Sequence, residues 1–306
     1  MNIRTGLVLT IVAAVLAAIS FWMGQQAYGW MPPQASAESI LVDDLFSFLV
    51  TLGTFIFLGV FVTLVYSVLF QRAGKYDFSD GPHIEGNVTL EVIWTAIPFA
   101  LVIWIAVYSF QIYDQMSILG PMEHVHKGMA TAEAAPGLAE VSEVSGQEPI
   151  EVLARQWAWE FRYPNQNVSS TELHLSNNQR ATLLLKSEDV IHGFYIPAFR
   201  IKQDIVPNEE ITFEFTPIQE GSYRLRDSQY SGTYFAAMQT DVVVESPEAH
   251  RDWLKEAAAQ PPTVAYNAAF EDYRRASEKG VSAGWVTVPP AAPPLVNYSG
   301  SPLKEE

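Results

Sequence analysis

Three apolar stretches dominate the first third of the chain, at residues 7–23, 45–70 and 92–113. A helix needs roughly 20 residues to cross a bilayer core, so these runs predict an anchor of two or three transmembrane helices. Beyond residue 150 the rhythm shortens. β-prone runs bounded by turn residues recur at 151–163, 171–175, 180–185, 191–196, 211–216, 221–225 and 237–244, which predicts a compact β-sandwich. After Pro247 the runs 248–259 and 268–279, rich in Ala, Glu, Lys and Arg, predict helices. The end, from Trp285 through Pro289, Pro290, Pro293 and Pro294, is too proline-rich to fold alone and predicts an extended segment laid on another surface. No internal repeat is visible. The chain therefore divides into a membrane anchor (1–117), a linker rich in Ala, Glu, Gly and Ser (118–149), a β-domain (150–247) and a partly helical C-terminal extension (248–306).

Basic residues near the membrane set the orientation, because cytoplasmic loops are enriched in Lys and Arg. Arg4 precedes the first span, and Arg72 and Lys75 lie between the second and third, whereas residues 23–40 contain no basic residue. Both facts place the amino terminus inside and everything after residue 115 or so outside. The first span could be a cleaved signal peptide, with Ala35-Ser36-Ala37 as the site. That triplet sits well beyond the apolar run, behind Gln25, Gln26, Pro32 and Pro33, which favours a retained helix. Cleavage would leave a hairpin and the same final topology.

Composition sharpens this picture. Apolar residues make up 49% of the chain and mean hydropathy is +0.08, high for a soluble protein and consistent with a partly membrane-embedded one. Eighteen Lys and Arg against 34 Asp and Glu give a net charge of -16, which repels nucleic acid and keeps an exported domain soluble. The chain has no cysteine, which excludes disulfides and every thiolate metal site.

Several segments carry more than packing information. Gln156-Trp157-Ala158-Trp159-Glu160-Phe161-Arg162-Tyr163-Pro164 alternates aromatics as one face of a strand would, and periodicity alone makes it core. Glu188-Asp189-Val190-Ile191-His192-Gly193-Phe194-Tyr195-Ile196-Pro197 contains a lone histidine, ordinarily structural. These segments, in this order, resemble the exported cupredoxin-like domain of subunit II in haem-copper terminal oxidases. The resemblance implies that Trp157 matches an exposed tryptophan through which cytochrome c passes its electron. It implies too that His192 matches the first ligand of that family's binuclear copper centre. Guided by Gly221-Ser222-Tyr223 and Gly232, the remaining ligand positions fall on Asp227, Ser231, Phe235 and Met238. Both bridging thiolates and the second histidine are thus replaced, and neither a carboxylate nor a hydroxyl supplies the covalency of soft, anionic sulfur. A blue-copper site fails for the same reason, and His192 with Met238 could hold at most an adventitious ion. The family's magnesium-binding glutamate is matched by Gln229, whose neutral amide is a weaker ligand for a hard cation.

The loop Tyr230-Ser231-Gly232, followed by Phe235 and Met238, resembles its counterpart in quinol oxidases, which lack this copper centre. The third span opens Asn87-Val88-Thr89-Leu90-Glu91-Val92-Ile93-Trp94-Thr95-Ala96-Ile97-Pro98. Asn87 or Thr89 can cap the helix and an acidic residue in its first turn suits the dipole. The segment also resembles the family's third-span opening, where the glutamate matching Glu91 sits at the inner mouth of a proton channel. The resemblance spans about 45–246; the tail around Trp285-Val286-Thr287-Val288-Pro289-Pro290 resembles the alternate terminal oxidases of oxygenic photosynthetic bacteria.

The expectation is therefore a subunit II without a redox cofactor of its own, in a proton-pumping, quinol-driven terminal oxidase. Haem and copper are expected in a partner subunit I, a subunit III is a further partner, and no nucleic acid is involved. It would sit in a bacterial plasma or thylakoid membrane with its C-terminal domain on the periplasmic or lumenal side. Two rivals stand beside it: a cytochrome c oxidase subunit II with another electron route, and a membrane-tethered cupredoxin-like binding or assembly protein. The segment 90–98 disfavours the second, since a simple anchor has no use for a proton-channel glutamate.

Overall fold

The computed structural model describes residues 3–72, 74, 76, 86–116, 149–278 and 287–300. The expected linker, apart from Pro149, lies outside the described residues, as do Trp285 and Val286. The anchor consists of α1 (Ile3–Ala27), α2 (Ala37–Phe70) and α3 (Val88–Met116), each long and apolar enough to cross a membrane. Lipid offers no partner to backbone N–H and C=O groups, so a spanning segment must satisfy them internally, as a helix does. The acidic residues of α2 and α3, namely Glu38, Asp43, Asp44, Glu91 and Asp114, sit towards the helix ends.

Small residues let α1 and α2 approach closely. A Cβ on Gly24 would collide with Thr51 Oγ1, and the Ser47 hydroxyl donates to the Gly24 carbonyl at 2.9 Å. Near the helix ends Tyr28 donates to Asp44 at 2.7 Å. Phe48 of α2 meets Trp104 and Tyr108 of α3 edge to face.

The exported part is a cupredoxin-like sandwich of two five-stranded sheets. Its strands are β1 (Ile150–Arg155), β2 (Ala158–Tyr163), β3 (Val168–Ser170), β4 (Leu173–Ser176), β5 (Ala181–Ser187), β6 (His192–Ile196), β7 (Ile201–Ile205), β8 (Ile211–Phe215), β9 (Gly221–Asp227) and β10 (Gln239–Glu245). One sheet runs β3-β2-β1-β5-β8 and the other β4-β10-β9-β6-β7, with β1–β5 and β10–β4 parallel and the rest antiparallel. Alternating inward residues fill the space between sheets: Val152, Phe161, Leu183, Leu185, Phe194, Phe213, Phe215 and Leu225 are essentially inaccessible. The run 151–163 is a hairpin rather than one strand, pairing Glu151 with Arg162 through Arg155 with Ala158. Two strands carry little apolar pattern in the sequence. β7 places Lys202, Gln203 and Asp204 between its isoleucines, and β3 is only three residues long.

The stretch between α1 and α2 packs into the sandwich. Ala35 and Ser36 are fully buried, and Ala35 donates to Ala198 and accepts from Ile218 at 3.1 and 2.9 Å. Ala37 N–H donates to Thr216 at 2.9 Å, the Ser36 hydroxyl to Phe199 at 3.0 Å, and Arg200 reaches the Pro32 carbonyl at 2.6 Å. Glu38, 1% exposed, accepts the Thr216 N–H with both carboxylate oxygens. This strap thus lies on the same side of the membrane as the sandwich, as the distribution of basic residues requires.

The C-terminal extension comprises α4 (Pro247–Ala258), β11 (Thr263–Val264), α5 (Ala268–Glu278) and β12 (Leu295–Val296), with β11 and β12 antiparallel. Ser246 caps α4 by accepting the Ala249 N–H at 3.2 Å. The surface under the tail is the chain's own sandwich. Tyr298 bridges to Ser170 on the free edge of β3, an edge otherwise open to pairing with another chain.

Replacing Glu38 with Ala strips the Thr216 N–H of its acceptor inside the sandwich. Denaturant unfolding of the detergent-solubilised chain is expected to show a loss of about 1–3 kcal/mol, the cost of a buried unmatched donor.

Candidate functional site

Strand register assembles the site. On β6, His192 and Phe194 point to one face, and Phe194 pairs with Asp227 at the end of β9, so the aspartate lies beside the histidine two residues back. The hairpin turn before β2 delivers Gln156 and Trp157 to the same end of the sandwich, and the loop after β9 delivers Gln229, Tyr230 and Ser231. Gln156, Ile191, Asp204, Gln229, Tyr230 and Ser231 line an open cleft of about 530 Å³ there.

His192 is fully buried and bonded on both sides. Its Nδ1 lies 2.8 Å from Asp227 Oδ2 and its Nε2 2.9 Å from Asp189 Oδ1. Asp227 is itself saturated: Oδ1 accepts the N–H groups of Gly193 and Gln229 at 2.7 and 3.0 Å, and Oδ2 also accepts the Ser231 hydroxyl at 2.7 Å. Asp189 accepts from the N–H groups of Gln156 and Val190, each at 2.7 Å. Burial works against a charge on His192, yet the hydrogen bonds to Asp189 and Asp227, reinforced by their charges, prevail and raise its pKa above the ordinary value. Burial also pushes both carboxyl groups up, but hydrogen bonds from His192 and the surrounding donors overcome it and hold Asp189 and Asp227 below the usual range. The arrangement favours the charged form of the imidazole between two carboxylates.

Of the positions singled out in the sequence, His192, Asp227 and Ser231 converge in this network. Gln229 joins through its backbone, while its side-chain amide donates to Asp204 Oδ2 at 2.7 Å. Met238 is 1% exposed, and its carbonyl accepts from Asp227 N and from Trp159 Nε1 at 3.0 and 3.2 Å. Phe235 packs instead against Tyr230, with ring centroids 5.3 Å apart. Trp157 departs from its resemblance: the family position is exposed, whereas here the residue is 2% exposed, its indole donates to the Ser231 carbonyl at 3.2 Å and its ring meets Tyr234 edge to face. Asp189 is a member of the network that the resemblance does not single out, although its place three residues before His192 is plain in the sequence. Glu91 lies apart from this site, in the first turn of α3, which Asn87 caps by accepting the Leu90 N–H at 3.2 Å.

The donor set differs in kind from one that bridges two coppers. The chain has no cysteine to bridge with, and both ring nitrogens of His192 face aspartates instead of presenting a free lone pair. Among the described residues no three His, Asp or Glu side chains are arranged to hold a metal ion.

Residues 8–112 match the family described as cytochrome c oxidase subunit II, transmembrane domain, and residues 167–246 match its periplasmic domain. The chain belongs to the subunit II family of haem-copper oxidases, and so to an oxidoreductase complex, anchored by its N-terminal helices with an exported C-terminal domain. It is 34% identical to the cytochrome c oxidase subunit 2 of Synechocystis sp., with 85% of each chain covered. It is also 34% identical to that of Thermostichus vulcanus, over 82% of this chain and 85% of the other. The quinol oxidase subunit 2 of Bacillus subtilis is 24% identical, over 76% of this chain and 66% of that one.

Replacing Asp227 with Asn removes one carboxylate from a buried ion pair and is expected to destabilise the domain by about 3–5 kcal/mol. The raised pKa of His192 contributes stability that is complete below its ordinary 6.5 and fades as pH rises through the raised value. The lowered aspartate values contribute stability that is complete above 3.8 and fades on acidification through the depressed values. The gap between wild type and variant in denaturant melts should therefore be widest between those two ordinary values and narrow on either side.

Proposed function

We propose that this chain is the subunit II of a proton-pumping terminal oxidase that draws its electrons from a membrane quinol, with no redox centre on the chain itself. The observation that carries this reading is the ion-paired imidazole at His192 in a chain without cysteine. A subunit that relayed electrons from a soluble donor would need a metal pair there, and a donor-facing ring at Trp157. Instead Trp157 is enclosed and serves packing. In this reading the helices seat the chain against a subunit I that holds haem and copper, and a subunit III completes the membrane part. Quinol reaches the partner's redox groups within the membrane, and the sandwich caps the outer face.

The second reading is a cytochrome c oxidase whose electrons enter by another route. It is favoured by the two 34% identical relatives, which are cytochrome c oxidase subunits, against 24% for a quinol oxidase subunit. The purified complex containing this chain separates the two: oxygen uptake should be driven by a reduced quinol and not by reduced cytochrome c. Preference for cytochrome c overturns the quinol assignment.

Glu91 is proposed to stand at the inner mouth of a proton path. It is exposed on this chain, at the N-terminal end of a spanning helix, where an ionisable side chain can meet both the inner aqueous phase and a partner subunit. Glu91→Ala is expected to leave assembly intact, because Asn87 still caps α3, and to slow turnover by about tenfold or more, at or below the usual range for loss of a positioned proton-transfer group. Unchanged oxygen consumption would remove the role.

A further inference from the structure

A second group of buried titratable side chains lies where the C-terminal extension docks. His250 and Trp253 project from α4 into the sandwich, 7% and 9% exposed, and His174 of β4, 3% exposed, stacks on the Trp253 indole with centroids 3.8 Å apart and planes at 6°. His250 adjoins this stack, its ring 6.0 Å from Trp253, with Tyr163 tilted against it. Tyr298 from the tail closes the stack edge-on against both His174 and Trp253. His174 faces two carboxylates, Glu245 Oε2 at 3.3 Å from Nδ1 and Glu172 Oε2 at 3.5 Å from Nε2. His250 has none: its Nε2 is buried without a hydrogen-bond partner, as is the indole nitrogen of Trp253. Of the other segments packed against α4, β10 brings Asp241 as well as Glu245, and Val168–Ser170 and Pro164–Gln166 bring no ionisable side chain.

We propose that this stack is an acid-labile clamp: protonation of His250 releases α4 and the tail from the sandwich. A proton added at Nε2 would be enclosed with no acceptor, next to aromatic rings and a second histidine, and the charge gains solvation only if α4 lifts away. Burial first, and then the charge of the neighbouring His174, push the His250 pKa down to about 4 from 6.5, outweighing a hydrogen bond to the His174 backbone that works the other way. Docking is therefore at full strength above 6.5 and weakens as pH falls towards 4, because the released form binds the proton more tightly. Release would uncover what the extension covers. The Ala291 N–H donates to the Gln156 carbonyl at 2.6 Å and the Asn267 amide to the Trp157 carbonyl at 3.0 Å, so the covered face is the one beside His192. The physiological sense, a subunit that senses acidification of the outer compartment during turnover, rests on the oxidase reading above; the acid release does not.

Hydrogen–deuterium exchange on the full chain in detergent tests it, with protection corrected for the pH dependence of intrinsic exchange. Protection of the α4 amides should fall by about 100-fold between pH 7 and pH 4 and approach about 300-fold on further acidification, the tenfold-per-unit consequence of the 6.5 to 4 shift. His250→Phe should keep wild-type protection at pH 7 and hold it on acidification. A parallel fall in the variant, which retains Glu172, Glu245 and His174, would overturn the proposal, as would flat protection in the wild type. Exchange of the His250 ring C–H in the wild type reads its titration without mutation, so the clamp stays open to refutation even where the variant fails to fold: a midpoint near 4 supports it, and one near 6.5 refutes it.

Discussion

At the end of the sandwich that carries the candidate site, a buried imidazole is held by both ring nitrogens between two aspartates, and the surrounding backbone is arranged to favour the ionised form of those aspartates. The Gly193 and Gln229 amides, the Ser231 hydroxyl and the Gln156 and Val190 amides all point at the carboxylates. Three loops and two strands are drawn to one point. Breaking such a buried pair by removing one charge strands the other, which is why the arrangement resists piecemeal change.

Much of this architecture can be read from residue pattern. The spans follow from apolar length, and the sandwich follows from short alternating runs with turn residues between them. The lack of sulfur bridges follows from composition alone. What the pattern hides has physical causes. Strand β7 shows only Ile201 and Ile205 inward, so its polar middle looks like a loop. The break between β1 and β2 falls at Gln156-Trp157, with no Gly, Pro, Asn or Asp to mark the turn. Asp189 is an ordinary surface-type residue until the fold brings it to His192 Nε2, and its role depends on a contact that spacing cannot specify. The burial of Trp157 agrees with the core that periodicity alone assigns it, against the exposure its resemblance implies, although periodicity says nothing of which segment provides the cover.

The C-terminal extension accounts for some of that cover. It carries its own amphipathic helix, lays Tyr298 along the open edge of β3, and fastens to the Gln156–Trp157 turn through single hydrogen bonds from Ala291 and Asn267. Edge protection and enclosure of an aromatic turn are achieved by one segment, whose grip depends on a few aromatic contacts near His174. Among the described residues outside the spans, two buried histidines differ in character: His192, whose two ring nitrogens both meet carboxylates, and His250, whose Nε2 meets none.

The strap between α1 and α2 ties membrane insertion to folding outside. The Ala198 carbonyl, the Ile218 amide and both main-chain groups of Thr216 find their partners in it. A soluble fragment beginning at Ile150 would have an open seam on that flank, and a protease cut after Ala37 would sever the seam from the second span. The exported half is thus stitched shut by a thread that must first have been carried through the bilayer.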